Sequence, residues 1–380
     1  MLIYIIMPVA AIMAGVILCR PRPEGLNRPG SKKTIGETIY CMLAFGGLFT
    51  VSAIRYAVGY DYILYANWFN SLRLMSDGEL MRWTREKGFS LPAKILADAG
   101  FGYQVMFAVI AFVIAAGVMA LIYRYSSVSW VSVTMFLASG LYFNSMNFMR
   151  QFIAAIIIAF ALPYITRGHF FRFLGLVLFA SVFHVSALLL VPFYFVFKIR
   201  FNGITLSVMI IFGTAAYIFV TPVFGFIQRF IYTEYDLITH REAASGLSPV
   251  YTIVFAVFFA LAFLLRKLIR RRNKHYNTLI FSMYFAVLFS LLGTSHGIIS
   301  RLSLLFVVAP VLILSADIYG SLRDLILLTF KDAKKTRRFI AAFISLIFLC
   351  AGGLYYNHLL SINYNGVVPY QTVFDKSAET

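Results

Sequence analysis

Residues 102–123, GYQVMFAVIAFVIAAGVMALIY, run for 22 positions without a charged side chain and without the apolar–polar alternation of a strand. At a helical rise of 1.5 Å per residue such a stretch reaches about 33 Å, the thickness of a bilayer's hydrocarbon core. Lipid offers the backbone no hydrogen bonds, and a helix needs none from outside, so the run reads as a spanning helix. A membrane β-barrel would show alternating segments of about ten residues instead.

The same pattern repeats outward from this run. Comparable apolar stretches lie at 2–18, 37–54, 129–146, 148–166, 203–222, 248–266, 276–293, 301–318 and 338–356. The sum is an all-α polytopic membrane protein of about ten spanning helices in one membrane domain, residues 1–380. Composition agrees: 61% of residues are hydrophobic, 13% are charged, and the mean hydropathy is +0.83. A soluble globule carries about twice that charged share. The first apolar run leads into a basic loop with no small-residue cleavage site, so it reads as a span and not as a signal peptide. Cys19, Cys41 and Cys350 lie in or beside apolar runs with no paired or metal-type spacing.

The net charge of +18 would suit nucleic acid, but its placement points to a membrane. Cations gather in short loops between apolar runs: Arg20, Arg22, Arg28, Lys32 and Lys33; Arg266, Lys267, Arg270, Arg271, Arg272 and Lys274; Arg323, Lys331, Lys334, Lys335, Arg337 and Arg338. The positive-inside rule puts all three on the cytoplasmic side, with both termini outside, and argues for a lipid bilayer and no nucleic acid as the partner. That count closes only if 171–197 returns to the side it left. This stretch is long for one span, short for two, and basic at both flanks. It reads as a re-entrant hairpin of two half-helices with its tip near His184-Val185-Ser186; the other arrangement is one long tilted helix. The acids Asp61, Asp77, Glu79, Glu86, Asp98, Glu234, Asp236 and Glu242 then fall in two outward segments, 55–101 and 223–247. Long irregular segments on a rigid scaffold commonly carry function.

Four clusters in the outward half could carry chemistry. Residues 55–65 set Arg55 and Asp61 among Tyr56, Tyr60, Tyr62 and Tyr65. An interfacial aromatic belt accounts for the tyrosines, but not for the cation and carboxylate together; their faces could also stack on sugars. Asn144, Asn147, Arg150 and Gln151 sit at the outer ends of two successive spans, with helical spacing that aims Asn147, Arg150 and Gln151 at one cavity. A snorkelling arginine is the alternative there. His184 and Ser186 interrupt an apolar run; a lone histidine often makes a helix–helix hydrogen bond, but one near an outward cavity suits a general base. Thr294-Ser295-His296 and Arg301 form the last cluster, and Arg229 and Arg241 flank the acids of the second outward segment. Several arginines converging on one cavity would bind an oxyanion, since guanidinium matches phosphate bidentately.

Equally informative is what is missing. No Gly-rich phosphate loop appears, no cytoplasmic Asp-x-Asp pair, and the six histidines lack metal-ligand spacing. Chemistry at the outer face without nucleotide, metal or other cofactor needs a donor already activated in the membrane, such as a polyprenyl pyrophosphate sugar.

On these residues the chain resembles the EpsG family of Wzy-like polysaccharide polymerases. The matching stretches are Arg55-x-x-Val58-Gly59-x-Asp61-Tyr62-x-x-Tyr65, Glu86-Lys87-Gly88-Phe89, Arg150-Gln151-x-x-Ala154, Phe183-His184-x-Ser186-Ala187 with Pro192-x-Tyr194, and Arg301. Lys87 stands where the family often has proline. The resemblance implies a GT-C-like bundle in the bacterial inner membrane. There it would transfer a growing O-antigen, capsule or exopolysaccharide chain from undecaprenyl pyrophosphate to the next lipid-linked repeat, with a chain-length regulator and a flippase as candidate partners. Read through it, Arg55, Arg150 and Arg301 hold the donor pyrophosphate, and Tyr60, Tyr62 and Tyr65 face the sugars. Asn147, Gln151, Ser186 and His296 complete the substrate site. His184 is the base, with Asp61 competing and Glu86 a further catalytic candidate. The rival readings are an O-antigen ligase, a transferase using a polyprenyl-monophosphate donor, and, in another class, a flippase of lipid-linked sugars. A flippase needs charges along its whole depth, whereas these lie toward one end.

Overall fold

The structure is a computed structural model that describes residues 2–19, 33–83, 86–230, 249–329 and 352–375, together with 340 and 350. The first two spans are α1 (Leu2–Leu18) and α2 (Ile35–Ala53), and α2 begins on a capping box in which Thr34 and Glu37 satisfy each other's backbone amides. The segment expected to be irregular, 55–101, instead folds into three short helices: α3 (Tyr62–Leu72), α4 (Asp77–Trp83) and α5 (Lys87–Asp98). The run that opened the sequence reading is α6 (Tyr103–Tyr125). Then follow α7 (Ser129–Ala138), α8 (Leu141–Asn147), α9 (Met149–Thr166), α10 (Phe170–Phe183), a 3-10 turn at Val185–Leu190, α11 (Phe193–Val196) and α12 (Gly203–Phe230). The last are α13 (Pro249–Leu264), α14 (Arg266–Arg272), α15 (Tyr276–Leu292) and α16 (Gly297–Thr329), and 352–361 are helical.

This is the all-α polytopic architecture that the composition requires. Five stretches among the described residues are long and apolar enough to cross alone: Ile35–Ala53, Tyr103–Tyr125, Met149–Thr166, Gly203–Pro222 and Ile299–Ile326. Shorter apolar helices at Leu2–Leu18, Ser129–Ala138, Phe170–Phe183 and Tyr276–Leu292 complete the bundle. Helix α9 is its centre, packed by α6, α8, α10, α15 and α16. A helix apolar all round belongs in such an interior. Helix α12 lies at the periphery and turns Ile204, Val208 and Ile211 outward, as a lipid-facing helix must.

Several boundaries differ from the sequence reading. The expected span 129–146 breaks between α7 and α8 at Gly140, whose φ of +75° is left-handed. A methyl there would also stand 2.8 Å from Leu359 Cδ1. The expected loop 266–275 contains α14, bent by 77° from α13 so that its cationic turn leaves the span direction. Helix α16 continues past the expected end at 318 and carries Arg323. The basic residues Arg20, Arg22, Arg28 and Lys32, the cations of 331–338, most of the expected span 338–356 and the side chains of 223–247 lie outside the described residues.

Between the two readings of 171–197, the structure takes the hairpin. Helix α10 ends at His184, whose extended backbone (φ −154°, ψ 114°) reverses the chain into the 3-10 turn. The returning limb packs against α10, with Phe170 4.9 Å and Phe173 5.3 Å from Tyr194 between ring centroids. Its apex lies at the end of the bundle that carries α3–α5.

Gly140→Ala tests the break in α7–α8. A left-handed non-glycine residue costs about 1–2 kcal/mol, and displacing Leu359 adds to it. The purified variant should unfold several degrees below wild type in thermal unfolding; an unchanged midpoint would show that the kink tolerates a side chain.

Candidate active site

Three chain segments far apart in sequence meet at one carboxylate. Glu86 precedes α5, Arg150 is in the first turn of α9, and His184 is the hairpin apex. Glu86 Oε2 accepts from Arg150 Nη1 at 2.6 Å, and Glu86 Oε1 lies 2.6 Å from His184 Nδ1. The Val185 amide also points at Glu86 Oε1, at 3.4 Å. Tyr65 supports the other side of the guanidinium, its hydroxyl accepting from Arg150 Nε at 3.3 Å while Arg150 lies over the Tyr65 and Phe89 rings. Among the described residues Arg150 Nη2 has no hydrogen-bond partner, on a side chain that is 45% exposed.

Burial alone would push the Glu86 carboxyl up. The hydrogen bond with His184, the Arg150 charge and the Val185 amide outweigh that and hold it below the usual glutamate range. Glu86 is therefore an anion at neutral pH and serves as a charge partner. A carboxylate on Nδ1 favours the tautomer with its proton there and leaves Nε2 as the basic nitrogen.

Asp61 and Arg301 extend the cluster. Burial raises the Asp61 carboxyl above the usual aspartate range, and Arg301 and Arg150 pull it partly back, so both cations act on this carboxylate. The Asp61 amide donates to Asn147 Oδ1 at 3.2 Å, which fixes the turn. Gly59 makes that approach possible: its φ is +103°, and a Cβ would sit 2.9 Å from Asn147 Oδ1. Arg301 is exposed, stands over the Phe148 ring, and has no hydrogen bond from its guanidinium to the described protein. Gln151 Nε2 donates to the Arg301 carbonyl at 2.5 Å and so places it.

Other candidates stand apart from this cluster. The one-face spacing of Asn147 with Arg150 and Gln151 does not hold, because the backbone breaks at Phe148 between α8 and α9. Arg55 is 2% exposed, lies over the Tyr62 and Phe107 rings, and donates to Met149 Sδ. Burial lowers its pKa to about 10, so it keeps its charge at neutral pH. Among the described residues its Nε and Nη1 find no hydrogen-bond partner. Tyr62 is stacked on Phe107 with its hydroxyl on Gln104, and Tyr65 is occupied by Arg150; only Tyr60 of the three proposed stacking rings is exposed. The Ser186 hydroxyl is enclosed without a hydrogen-bond partner among the described residues, and His296 Nε2 meets Thr221 Oγ1 at 3.3 Å.

The sequence reading missed the C-terminal segment. Residues 363–375 fold back over 54–60: the Tyr56 amide bonds the Gln371 carbonyl, the Gly59 amide the Gly366 carbonyl, and Arg55 pairs with Thr372. Asn365 donates to Asn144 Oδ1 at 2.8 Å and accepts from Asn147 Nδ2 at 3.1 Å. Tyr370 closes the space above Arg55 and bonds the Val51 carbonyl. The Asn363-Tyr364-Asn365-Gly366 run carried a turn signal, but nothing local tells where such a turn docks.

Arg150→Lys keeps the positive charge and removes the fork that grips Glu86, Tyr65 and a further anion together. The variant should insert and fold while product formation falls at least about tenfold, the scale of one lost charged hydrogen bond. Product formation at the wild-type rate would make Arg150 an interfacial snorkelling residue.

The cluster lies on the motifs singled out in the sequence, and a broader comparison covers the chain. Residues 38–372 match the family model of the EpsG family, a Wzy-like polymerase family, so the match takes in the hairpin, both arginines and the C-terminal segment. No curated protein and no solved structure matches the chain. From Glu86, His184 and Arg150 to the tail over Asp61, the site lies within a multi-pass membrane protein that belongs to the EpsG family of polysaccharide polymerases.

Proposed function

We propose that this protein joins oligosaccharide repeat units carried on undecaprenyl pyrophosphate at the outer face of the bacterial inner membrane. The observation that carries the reading is the Glu86 carboxylate shared between His184 and Arg150, with Asp61 and Arg301 beside it. The opposite end of the bundle holds Arg266, Lys267, Arg270, Arg271, Arg272 and Lys274, which supports an outward orientation for the site.

In this mechanism the acceptor sugar hydroxyl attacks the anomeric carbon of the donor chain. His184 Nε2 takes the hydroxyl proton as the new glycosidic bond forms, and Glu86 stabilises the imidazolium. The bond from the anomeric carbon to the pyrophosphate oxygen breaks, leaving undecaprenyl pyrophosphate. Arg150, through Nη2, and Arg301 meet the charge that develops on that leaving group. The exposed ring of Tyr60 offers a stacking face to the sugars. Attack opposite the leaving group inverts the anomeric configuration.

His184→Ala tests the assignment. Removing a positioned general base costs about 10²–10⁴-fold in rate while pyrophosphate contacts persist. With purified lipid-linked repeats in detergent and matched folded protein, chain growth should fall by that amount and single repeats should still bind. Near-normal growth would transfer the base role to Asp61. The rate would then fall as pH drops through a value above the ordinary aspartate range, because burial raises that carboxyl.

A further inference from the structure

The other end of the bundle holds a second concave site. A cavity of about 620 Å³ opens between the α9–α10 turn, the returning limb of the hairpin and the α14–α15 turn. Arg167, Lys198, Arg200, Arg270 and Lys274 line it, and no acidic residue does. Among the described residues none of these five is in an ion pair, whereas Arg272 nearby is paired with Asp324. Helix α9 alone separates it from the first site by the distance between its ends, about 25 Å at 1.5 Å per residue.

The positive-inside rule explains why charges here are positive, but not why five converge on one cavity without an acid. The walls are also built to stay in place. Asn277 Nδ2 donates to the Phe197 and Ile199 carbonyls at 2.9 and 2.8 Å, and Asn277 Oδ1 accepts from the Phe201 amide at 2.7 Å. Arg270 donates to the Phe201 carbonyl and lies over the Tyr276 ring. Lys198 sits 4.8 Å above the Tyr194 ring and Arg167 5.6 Å from that of Tyr164, which steadies both side chains. Like charges held together in a cavity repel, and a phosphate group bridging them removes the repulsion and fills the donors at once.

We propose that this cavity binds a phosphate-bearing anion, supplied by the headgroup of an anionic phospholipid of the inner leaflet. Basic pockets between membrane helices on the cytoplasmic side suit such headgroups. Exposed Phe171, Phe195 and Ile199 stand beside the lining residues in sequence and give acyl chains an apolar surface. Lys198 and Arg200 lie at the foot of the hairpin whose apex is His184, so an occupant ties that foot to α9 and α14. The inference rests on the membrane fold and on the inward orientation of this basic end, and stands apart from the polymerase chemistry.

The test uses the full chain, purified and placed in nanodiscs of phosphatidylcholine with or without phosphatidylglycerol. Native mass spectrometry reads retained lipid, and thermal unfolding reads the midpoint. Wild type should retain phosphatidylglycerol in preference to phosphatidylcholine and unfold at a higher temperature with it. Lys198→Gln combined with Arg200→Gln should weaken that retention roughly tenfold or more. Arg271→Gln, an equal charge change per residue outside the cavity, should leave it unchanged. If the double variant does not fold, Lys274→Gln on the exposed turn serves as the milder change and should still lower retention. Inorganic phosphate added in detergent separates the sources: a midpoint rise in wild type alone with no lipid preference assigns the cavity to a soluble phosphate. Equal retention of both lipids with no response to phosphate overturns the proposal.

Discussion

A carboxylate held between an arginine and a histidine joins three packed segments at one point. Glu86 arrives from the start of α5, Arg150 from the central span, and His184 from the apex of the 171–197 hairpin. A largely buried carboxylate is costly unless paired, and Glu86 meets two side-chain partners and a backbone amide at once. The pairing explains why the hairpin stops where it does. The extended backbone at His184 ends α10 where the imidazole meets the carboxylate.

The second constraint is backbone satisfaction. Four non-helical points lie near the site: the turn at 54–60, the break at Phe148, the apex at His184 and the C-terminal segment. Backbone freed at membrane depth must be bonded by protein or water. Asn147 does much of this, its side chain accepting from the Asp61 amide and donating to the Phe143 and Asn365 carbonyls, while Asn144 holds Asn365 through its side-chain amide. They hold the Asp61 turn still, which is what an active site asks of its surroundings. Buried Arg55 belongs to this supporting layer, beneath the tail and against two aromatic rings.

Much of the fold was legible because lipid imposes one simple rule on long apolar runs, and α1, α2, α6, α9, α13 and α15 begin and end close to where that rule puts them. The hairpin was legible from the length of 171–197, its basic flanks and the sorting of charge between loops. Within the site, Asp61, Glu86, Arg150, His184 and Arg301 stood out as ionisable groups near apolar spans, and the structure gathers them. What could not be read is who touches whom. Tyr62 and Tyr65 look like stacking platforms in sequence, yet their rings and hydroxyls are already used, on Phe107 and Gln104 and on Arg150. The docking of residues 363–375 depends on contacts with a turn some three hundred positions earlier, and no periodicity encodes it.

The most direct test of the central claim is a double-mutant cycle on polymerisation by the purified protein, with Glu86→Gln, His184→Ala and the two together. Residues that act as a unit lose activity non-additively. Since Glu86 works largely through His184, the combined variant should be scarcely slower than His184→Ala alone. A combined loss equal to the product of the two single losses would mean that the carboxylate and the imidazole act independently, and the account of this site would be wrong.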